Sequence, residues 1–526
     1  MPFLKKKGSE GLTSKRKLSL LYMTVSLTAN SAALVAASAL YKATKSHEVS
    51  LERLATGSRI NAAKDDPGSI HKVSRLTSET RGIQMGIKNA LEFQSILDIA
   101  DGTTSEISNL LQSLREIAIL SMNSTYTTQN RADLQIDATQ IIAGAEQAAT
   151  AATYNNQKLT DGSFTSKTVA LGGRASDQIT LSLENAKTTV IGQYFISGTA
   201  HLKAGASNDT AAANDVTSQT LSITGKGNAS VSITSGSSAK TAAAAINGKT
   251  ATTGVSATAS TVLKLDTLSN LASGKSVSFK IGTTQIASTL VTSSDLSALV
   301  SSINSSMTTT GVTAVLGSTN AELFLSNTDG SDILIDDFLT TNTADSTASL
   351  QVTAVNSRTR AEVGSAVSLN HQMASSTRQA SIDSVMGIGH LEISYHKNFS
   401  MTGGASTSTL LARSNTVAST FVSSIDISTQ SGAKTAVRVL DAALNKINED
   451  RANIGASSSR ISSATNFLTS INIPVSLSLS QIQDADFAQE TLNLTKSQLI
   501  RNNAAAMLAQ ANSSMAAIQD KILGSL

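Results

Sequence analysis

The sequence has no cysteine and no tryptophan, and only 3% of its 526 residues are aromatic. Without cysteine, disulfide bonds, thiolate catalysis and cysteine-ligated metal sites are excluded. Charged residues make up 15% of the chain and the formal net charge is +3, which gives no general argument for nucleic acid as a partner. No apolar run approaches the length of a membrane-spanning helix, so none is predicted.

Proline is also scarce and occurs only as Pro2, Pro67 and Pro474, which leaves long helices uninterrupted. Apolar or small residues recur every seventh position near both ends of the chain, and this spacing predicts long helices that bury a narrow seam against other helices. The N-terminal series is Leu76, Ile83, Ala90, Leu97, Thr104, Leu111 and Ala118, and the C-terminal series is Leu440, Ile447, Ile454, Ile461 and Leu468. Two such helices at opposite ends favour one bundle that closes across the middle, which is more typical of a structural subunit than of an enzyme.

Start and stop signals give approximate helix bounds. Gly57 is a plausible helix stop, Asp65-Asp66-Pro67-Gly68 is a typical turn sequence, and Pro474 predicts a break between two C-terminal helices. The predicted helices cover residues 24–56, 70–122, 131–152, 431 to about 468, and 480–522.

The middle of the chain, from about residue 165 to 415, has a different pattern. Alternation in QTLSIT (219–224) and SVSITS (230–235) predicts strands with one buried face. Ile246-Asn247 followed by Thr253-Gly254-Val255 recurs 57 positions later as Ile303-Asn304 followed by Thr310-Gly311-Val312. We therefore predict two β-rich modules of one design, at about 217–268 and 275–338. The fold of 340–415 stays open, and a third module is one interpretation.

The first 22 residues are basic and end in a short apolar run, which imitates a secretory signal. The run is broken by polar residues and no clear cleavage site follows. The favoured interpretation is that residues 1–22 are a non-native extension and that translation begins at Met23.

Several long motifs, in one order along both arms, resemble those of bacterial flagellin, the subunit of the flagellar filament. They are SLTANSAAL (26–34), ERLATGSRINAAKDDPG (52–68) and LQSLREIAILSMNST (111–125) in the N-terminal arm, and SIDISTQSGAKTAVRVLDAALNKINEDRANIGA (424–456), IQDADFAQET (482–491) and MLAQAN (507–512) in the C-terminal arm. The resemblance covers roughly residues 24–165 and 415–526. The repeated modules also resemble a repeat found in flagellin variable regions.

The resemblance implies an α+β fold, with a long antiparallel helical bundle or coiled coil from both termini and β-rich surface domains in the centre. The implied segments are an N-terminal inner-core helix at 23–67, an outer-core helical part with a β-hairpin at 68–180, a variable surface region at 181–415, the second outer-core part at 416–473, and a C-terminal inner-core helix at 474–526.

The implied function is polymerisation with copies of itself into the extracellular filament used for swimming, after export in an unfolded state by the flagellar type III apparatus with its chaperone. Hook-associated and cap proteins are further implied partners. Two alternatives remain open: a hook–filament junction protein, which shares the terminal helices, and a secreted adhesin that uses the central β modules.

Individual residues are assigned by the same argument. Bundle core is predicted for Leu76 to Ala118 and Leu440 to Leu468, whereas assembly contacts are predicted for Leu494, Leu508, Met515 and Ile522. Arg115 and Glu116 form a solvated helix pair in one interpretation. The resemblance also implies that their surface is buried on polymerisation and is where a toll-like innate immune receptor binds monomers.

Two positions depart from the receptor-recognised pattern. Ser113 stands where recognised flagellins carry arginine, and Asp137 where they carry glutamate. Because arginine offers a planar, multi-donor contact that serine cannot replace, we predict weak or absent receptor recognition.

No catalytic, metal or cofactor constellation emerges. The six histidines, at positions 47, 71, 201, 371, 390 and 396, show no ligand spacing, and neither HExxH nor a phosphate-binding glycine loop occurs. Asp65 and Asp66 fit a turn better than acid–base chemistry. Glycosylation of Ser/Thr-rich loops in 200–350 is left open.

Overall fold

The computed structural model of the chain describes residues 30–524, apart from 173–176, 206–210, 272–274, 341–347, 359, 371–381 and 404–416. It also leaves undescribed the side chains of residues 287–289, 522 and 523. The interpretation of residues 1–22, the choice of Met23 as the start and the side chain of Ile522 therefore lie outside the described part. The chain divides into a terminal unit, formed by the described residues of Met1–Leu91, Val169–Ile179 and Ser462–Leu526, and a central unit, formed by Glu92–Thr168 and Thr180–Ile461.

Nine α-helices form in the described residues, and the long ones lie in the two arms of the sequence. They are α1 (Ser31–Thr56), α2 (Ile70–Ser121), α3 (Thr128–Ala151), α4 (Ala239–Asn247), α5 (Thr250–Thr253), α6 (Ser297–Ser305), α7 (Met307–Thr310), α8 (Gln430–Gln483) and α9 (Phe487–Leu523). The start of α1 is set by Asn30, whose side chain accepts a hydrogen bond from the backbone N–H of Ala33. Gly57, in the left-handed conformation, ends the helix as predicted.

The predicted break at Pro474 is wrong, because α8 runs through it to Gln483. Proline removes one intrahelical hydrogen bond, but the neighbouring turns of a 54-residue helix keep theirs. The boundary expected at 473/474 therefore falls inside a helix. The chain turns instead at Asp486, whose Oδ1 accepts hydrogen bonds from the backbone N–H groups of Ala488 and Gln489 at 2.9 and 3.1 Å and so caps α9.

In the central unit, α2 and α8 run antiparallel. Arg115 pairs with Asp441, and Asp101, fourteen residues earlier on α2, pairs with Arg451, ten residues later on α8. Seventeen buried residues of α2, α3, α8 and the segments at 186–191 and 422–427 form one apolar core. It includes Leu111, Leu440 and Ile447 of the two seven-residue series.

Strands occupy the middle of the chain. Their bounds are β1 (Thr153–Tyr154), β2 (Gln157–Lys158), β3 (Lys167–Ala170), β4 (Gln178–Leu181), β5 (Gly192–Ser197), β6 (His201–Ala204), β7 (Gln219–Thr224), β8 (Asn228–Ile233), β9 (Ser256–Ser269), β10 (Ser276–Ile281), β11 (Thr284–Leu290), β12 (Thr313–Leu316), β13 (Leu323–Asn327), β14 (Ile333–Thr340), β15 (Ser349–Val355), β16 (Glu362–Asn370), β17 (Val385–Ile388), β18 (His390–Tyr395), β19 (Ser400–Thr402) and β20 (Ala418–Phe421). A hairpin joins β1 to β2 through Asn155 and Asn156, which both adopt positive φ.

Three larger sheets are built from the later strands. One has the order β11-β10-β14-β17-β6, and another has the order β19-β7-β8. The third has eight strands: the path β12-β13-β9-β18-β5-β20, with the β15–β16 hairpin also paired to β9. All the pairings described in these sheets are antiparallel.

The sequence repeat corresponds to a structural repeat. The hairpin β7–β8, helices α4 and α5 and strand β9 recur as the hairpin β10–β11, helices α6 and α7 and strand β12. In the first copy the side chain of Asn247 exchanges two 2.8 Å hydrogen bonds with the backbone of Ala257. In the second, Asn304 makes the same pair of bonds with Ala314 at 2.9 and 2.8 Å. Each asparagine thus fastens a helix to the strand that follows.

The glycines of the repeat are needed for backbone conformation. Gly254 and Gly311 have φ of 75° and 67°, and each N–H donates back to a carbonyl four residues earlier. Glycine adopts this left-handed conformation without the strain of a Cβ, so each one ends its short helix and releases the chain into a strand.

The described part of residues 340–415 is not a third copy. It contributes the hairpin β15–β16 and strands β17, β18 and β19, with no helix among its described residues. These strands pair with β9, β14 and β7, so they complete the sheets of the two modules. The α+β fold class, with helical arms at both ends of the chain, is confirmed.

Replacing Asn247, whose side chain fastens α4 to β9, should weaken the central unit. We expect Asn247→Ala to lower its Tm by roughly 1.5–3 °C, because two partly buried hydrogen bonds are lost at a cost of about 1–2 kcal/mol. Differential scanning calorimetry of the full chain measures this. Asn228→Ala, at the exposed first position of β8, is the control and should leave the Tm within 1 °C or so. Equal Tm values for the two variants would refute a stabilising role for the Asn247 hydrogen bonds.

Candidate assembly surface

Helices α1 and α9 form an antiparallel pair in the terminal unit. At one end, Asn30 Nδ2 donates to the carbonyl oxygen of Ala511 at 3.0 Å. At the other end, Arg53 Nη1 lies 2.9 Å from Glu490 Oε1. The two helices therefore pair over most of their length, which joins the two arms of the sequence.

Mainly small residues line the seam between these helices. The buried residues of α1 are Ala36, Ala43 and Ser50, and those of α9 are Glu490, Ser497 and Ala504. Both sets are spaced by seven, as a two-helix coiled coil requires. A seam of this kind buries little apolar area and leaves the large side chains elsewhere on the helix surfaces.

Those large apolar side chains face outwards. In the described part of the terminal unit, the strongly exposed ones include Leu34, Val35, Tyr41, Phe467, Ile473, Leu477, Phe487, Leu492, Leu499 and Met507. Seven of these residues lie on α1 and α9, and Phe467, Ile473 and Leu477 lie on α8. Single exposed apolar residues are ordinary, but so many in one unit exceed what a monomeric soluble protein normally presents. This set, which we call the apolar face, is the candidate functional site.

A groove lies within the apolar face. It has a volume of about 630 Å³ and is lined by Val35, Ala36, Ala504, Met507 and Ala511 together with neighbouring small residues. Met507 is 66% exposed and is the longest apolar side chain on the groove wall. The groove is shallow and apolar, so it suits a complementary apolar surface better than a polar small molecule.

The chain beyond α1 is tied to the turn between α8 and α9. Arg59 N–H donates to the Gln483 carbonyl at 2.6 Å, and Ala485 N–H donates to the Gly57 carbonyl at 2.9 Å. Backbone bonds of this kind hold the two arms together whatever the side chains are. The neighbouring Asp65 accepts from the backbone N–H of Ala62, which lowers the pKa of its carboxyl, as a turn residue would.

An ion pair between Arg53 and Glu490 links α1 to α9 in a partly buried position. The Glu490 side chain is 8% exposed. Arg53 Nε and Glu490 Oε2 are also buried and have no other hydrogen-bond partner in the described chain. Each charge therefore depends on the other, because a buried charge without its partner is strongly destabilising.

The residues predicted to make assembly contacts are only partly buried. Leu494, Leu508 and Met515 are half-buried on α9. Their part in assembly stays a prediction. On α2, bundle core is predicted for Leu76 and Ile83; Leu76 is half-buried, whereas Ile83 is 6% exposed.

The predicted bundle residues of the central unit are buried. They are Leu97, Leu111, Leu440, Ile447 and Ile454. Burial in a core that the chain supplies itself distinguishes them from the apolar face.

The expected receptor surface is exposed in the central unit. Arg115 does not pair with Glu116; its Nε lies 2.6 Å from Asp441 Oδ1, and this contact raises the pKa of the guanidinium. Ser113, Glu116 and Asp137 are exposed. Weak receptor recognition stays a prediction.

Chemistry-bearing clusters are sparse in the part of the chain that the structure describes. Among those residues no group of three or more His, Asp or Glu side chains could hold a metal ion. No described helix has the length and apolar character needed to cross a membrane.

Three family models match the two helical arms and the first β-rich module of the chain. Residues 27–165 match the bacterial flagellin N-terminal helical region, residues 437–518 match the bacterial flagellin C-terminal helical region, and residues 220–271 match the flagellin hook IN motif. The chain belongs to the bacterial flagellin family. The matched helical regions include α9 up to residue 518 and most of α1, so the apolar face lies largely on the segments that define the family.

Named relatives span nearly the whole chain. The B-type flagellin of Pseudomonas aeruginosa is 28% identical over 465 residues, which cover 88% of this chain and 92% of that one. Flagellin A of Vibrio anguillarum is 28% identical over 507 residues, covering 94% of this chain and all of the relative. Among solved structures, FliC from Burkholderia pseudomallei is 15% identical with a TM-score of 0.26, covering 70% of this flagellin and 99% of FliC.

Two features of the site were not predicted from the sequence. They are the pair between Arg53 and Glu490 and the small-residue seam, and both were missed because the prediction rested on large apolar residues. The seven-residue spacing of Ala36, Ala43 and Ser50 and of Glu490, Ser497 and Ala504 is a signal that could have shown the seam.

Charge reversal tests the pairing of α1 with α9 in this flagellin. Arg53→Glu and Glu490→Arg should each destabilise the paired helices by about 3–5 kcal/mol, since each leaves a like-charge pair in a buried site. The double variant should recover at least half of the loss. The readout is the critical concentration for salt-induced polymerisation, with thermal disassembly as a second measure. Failure of the double variant to recover would show that the pair does not form.

Proposed function

We propose that this chain is the subunit that polymerises into the bacterial flagellar filament outside the cell. The observation that carries the proposal is the apolar face: α1 and α9 pair through small residues and leave Val35, Leu492 and Met507 exposed. Membership of the flagellin family supports the same function.

The driving force is the burial of that face against neighbouring copies. A fully buried Leu, Phe or Met side chain gains about 1.5–3 kcal/mol relative to an exposed one. Several such residues per chain therefore contribute on the order of 10 kcal/mol to assembly. In a filament each copy packs this face against a different surface of its neighbour, so the contacts are heterologous and growth is open-ended.

Export in an unfolded state through the flagellar type III apparatus, with a dedicated chaperone, is part of the proposal. The absence of cysteine supports it, because no disulfide has to be reduced before the chain is unfolded. Contacts with hook-associated and cap proteins at the filament ends, and a purely structural role without enzymatic activity, belong to the same proposal.

A matched pair of variants tests assembly through the apolar face. Met507→Glu puts a charge into the groove, where burial without a partner costs several kcal/mol. We expect its critical concentration to rise at least tenfold in electron microscopy and sedimentation. Met307→Glu, at a methionine that is 44% exposed on α7 of the second module, is the control and should polymerise like the unchanged chain.

The same experiment separates the alternatives. Long regular filaments that depend on Met507 support the filament subunit. Rings, short caps or persistent monomers from the unchanged chain would favour a hook–filament junction protein or an adhesin. Equal polymerisation of the two methionine variants would remove the groove from the assembly surface.

Receptor recognition is proposed to be weak, because Ser113 and Asp137 are exposed on the expected surface but have the wrong chemistry. Purified monomer should be much less potent than a recognised flagellin in a receptor reporter-cell assay. Ser113→Arg with Asp137→Glu should raise its potency, since arginine adds a multi-donor contact. Asn109→Arg with Asp133→Glu, exposed positions one turn earlier on each helix, should not. Equal potency of the unchanged monomer and a recognised flagellin would overturn this proposal.

A further inference from the structure

An ion pair on α8 is buried inside the central unit. Lys446 Nζ lies 2.6 Å from Asp450 Oδ2, and the two side chains are 8% and 4% exposed. The other oxygen, Asp450 Oδ1, is buried and has no hydrogen-bond partner in the described chain. A charged carboxylate is therefore held in the interior with only half of its acceptor capacity used.

A small cavity adjoins this carboxylate. Its volume is about 140 Å³, and it is lined by Asp450, Asn453 and neighbours on α8, by Thr104 on α2, and by Thr160 and residues 181–184. The hydroxyls of Thr104 and Thr160 already donate to the carbonyls of Ala100 and Ala149, at 2.9 and 2.7 Å. These two hydroxyls are therefore not free to donate to the anion.

Other titratable groups meet Asp450 from three segments of the chain. Glu184, which follows β4, lies 3.6 Å from Lys446 Nζ. His396 and Lys397, which follow β18, both pair with Glu449 on α8, at 2.7 and 2.9 Å. The cluster thus joins the segment after β4 and the turn after β18 to one stretch of α8.

Burial decides the proton affinity of this carboxyl. Burial, helped by the nearby Glu184, raises the pKa of Asp450 to about 6, although Lys446 and Lys397 oppose the shift. Burial also lowers the pKa of His396, an effect that its bond to Glu449 opposes. The two groups therefore respond to acid in opposite senses.

We propose that Asp450 is a proton-operated latch: its protonation strengthens the packing of residues 181–184 and of the His396–Lys397 turn against α8, and its ionisation loosens that packing. The folded chain keeps a proton on Asp450 that the unfolded chain releases, so this contribution to stability grows as the pH falls from about 6 towards 4. His396 acts oppositely, because the folded state resists its protonation below pH 6.5 or so.

Calorimetry of the full chain at pH 7.5 and pH 5.0 isolates the latch. The Tm of the unchanged chain minus the Tm of Asp450→Asn should be about 2 °C more positive at pH 5.0 than at pH 7.5, since asparagine cannot take up the proton. His396 is present in both proteins, so its effect cancels. Asp441→Asn is the matched control, because Asp441 is also ion-paired on α8 but is 48% exposed. It should show no such change.

A second variant keeps the test decisive if Asp450→Asn folds poorly. Lys446→Gln leaves Asp450 without its cation, so the stabilisation by acid should begin at a higher pH than in the unchanged chain. Amide exchange, corrected for its intrinsic pH dependence, should slow in residues 181–187 and 390–397 on acidification. A Tm difference that is the same at both pH values for Asp450→Asn, or an unshifted profile for Lys446→Gln, would overturn the proposal.

Discussion

The structure depends on the antiparallel contact between α2 and α8. Arg115 and Asp441 are 326 positions apart in the sequence, yet their side chains meet. Below them, Leu111, Leu440 and Ile447 share one apolar core. Closing so long a loop is entropically costly, and the cost is offset because the seam is long and continuous. The β-rich segment is then held at both ends: β5 pairs with β20, which aligns Gly192 with Phe421.

The terminal pair follows a different principle. A core of Leu and Ile lets α2 and α8 satisfy their apolar residues within the chain. A seam of Ala36, Ala43 and Ala504 brings α1 and α9 together but leaves their large apolar residues without internal partners. The same seven-residue spacing therefore accompanies a buried apolar core in the central unit and an exposed apolar face in the terminal unit. We propose that, in the filament, other copies cover this exposed surface.

Local chemistry made much of the central unit predictable. The recurrence of Ile-Asn and Thr-Gly-Val at one offset indicated two modules because these residues act locally. The asparagine bonds to the strand ten residues on, and the glycine ends the short helix. The strands after residue 340 carry no such signal, since β15, β17 and β18 are specified by partners far away in sequence. Pro474 gave a wrong prediction because the local cost of one proline, about 3 kcal/mol, is offset by the hydrogen bonds that the 54-residue helix keeps on both sides.

By itself, the sequence determined the helical arms, the duplicated modules and the resemblance to flagellin, because heptads, caps and turns act over a few residues. Only the tertiary structure decided which side of each arm is buried. It showed that Glu490 is paired in a seam, that Met507 lies in an open groove, and that Asp450 is a buried anion with an unused oxygen. Those properties depend on neighbours from distant parts of the chain, and the free energy of a charge or an apolar side chain is set by its surroundings.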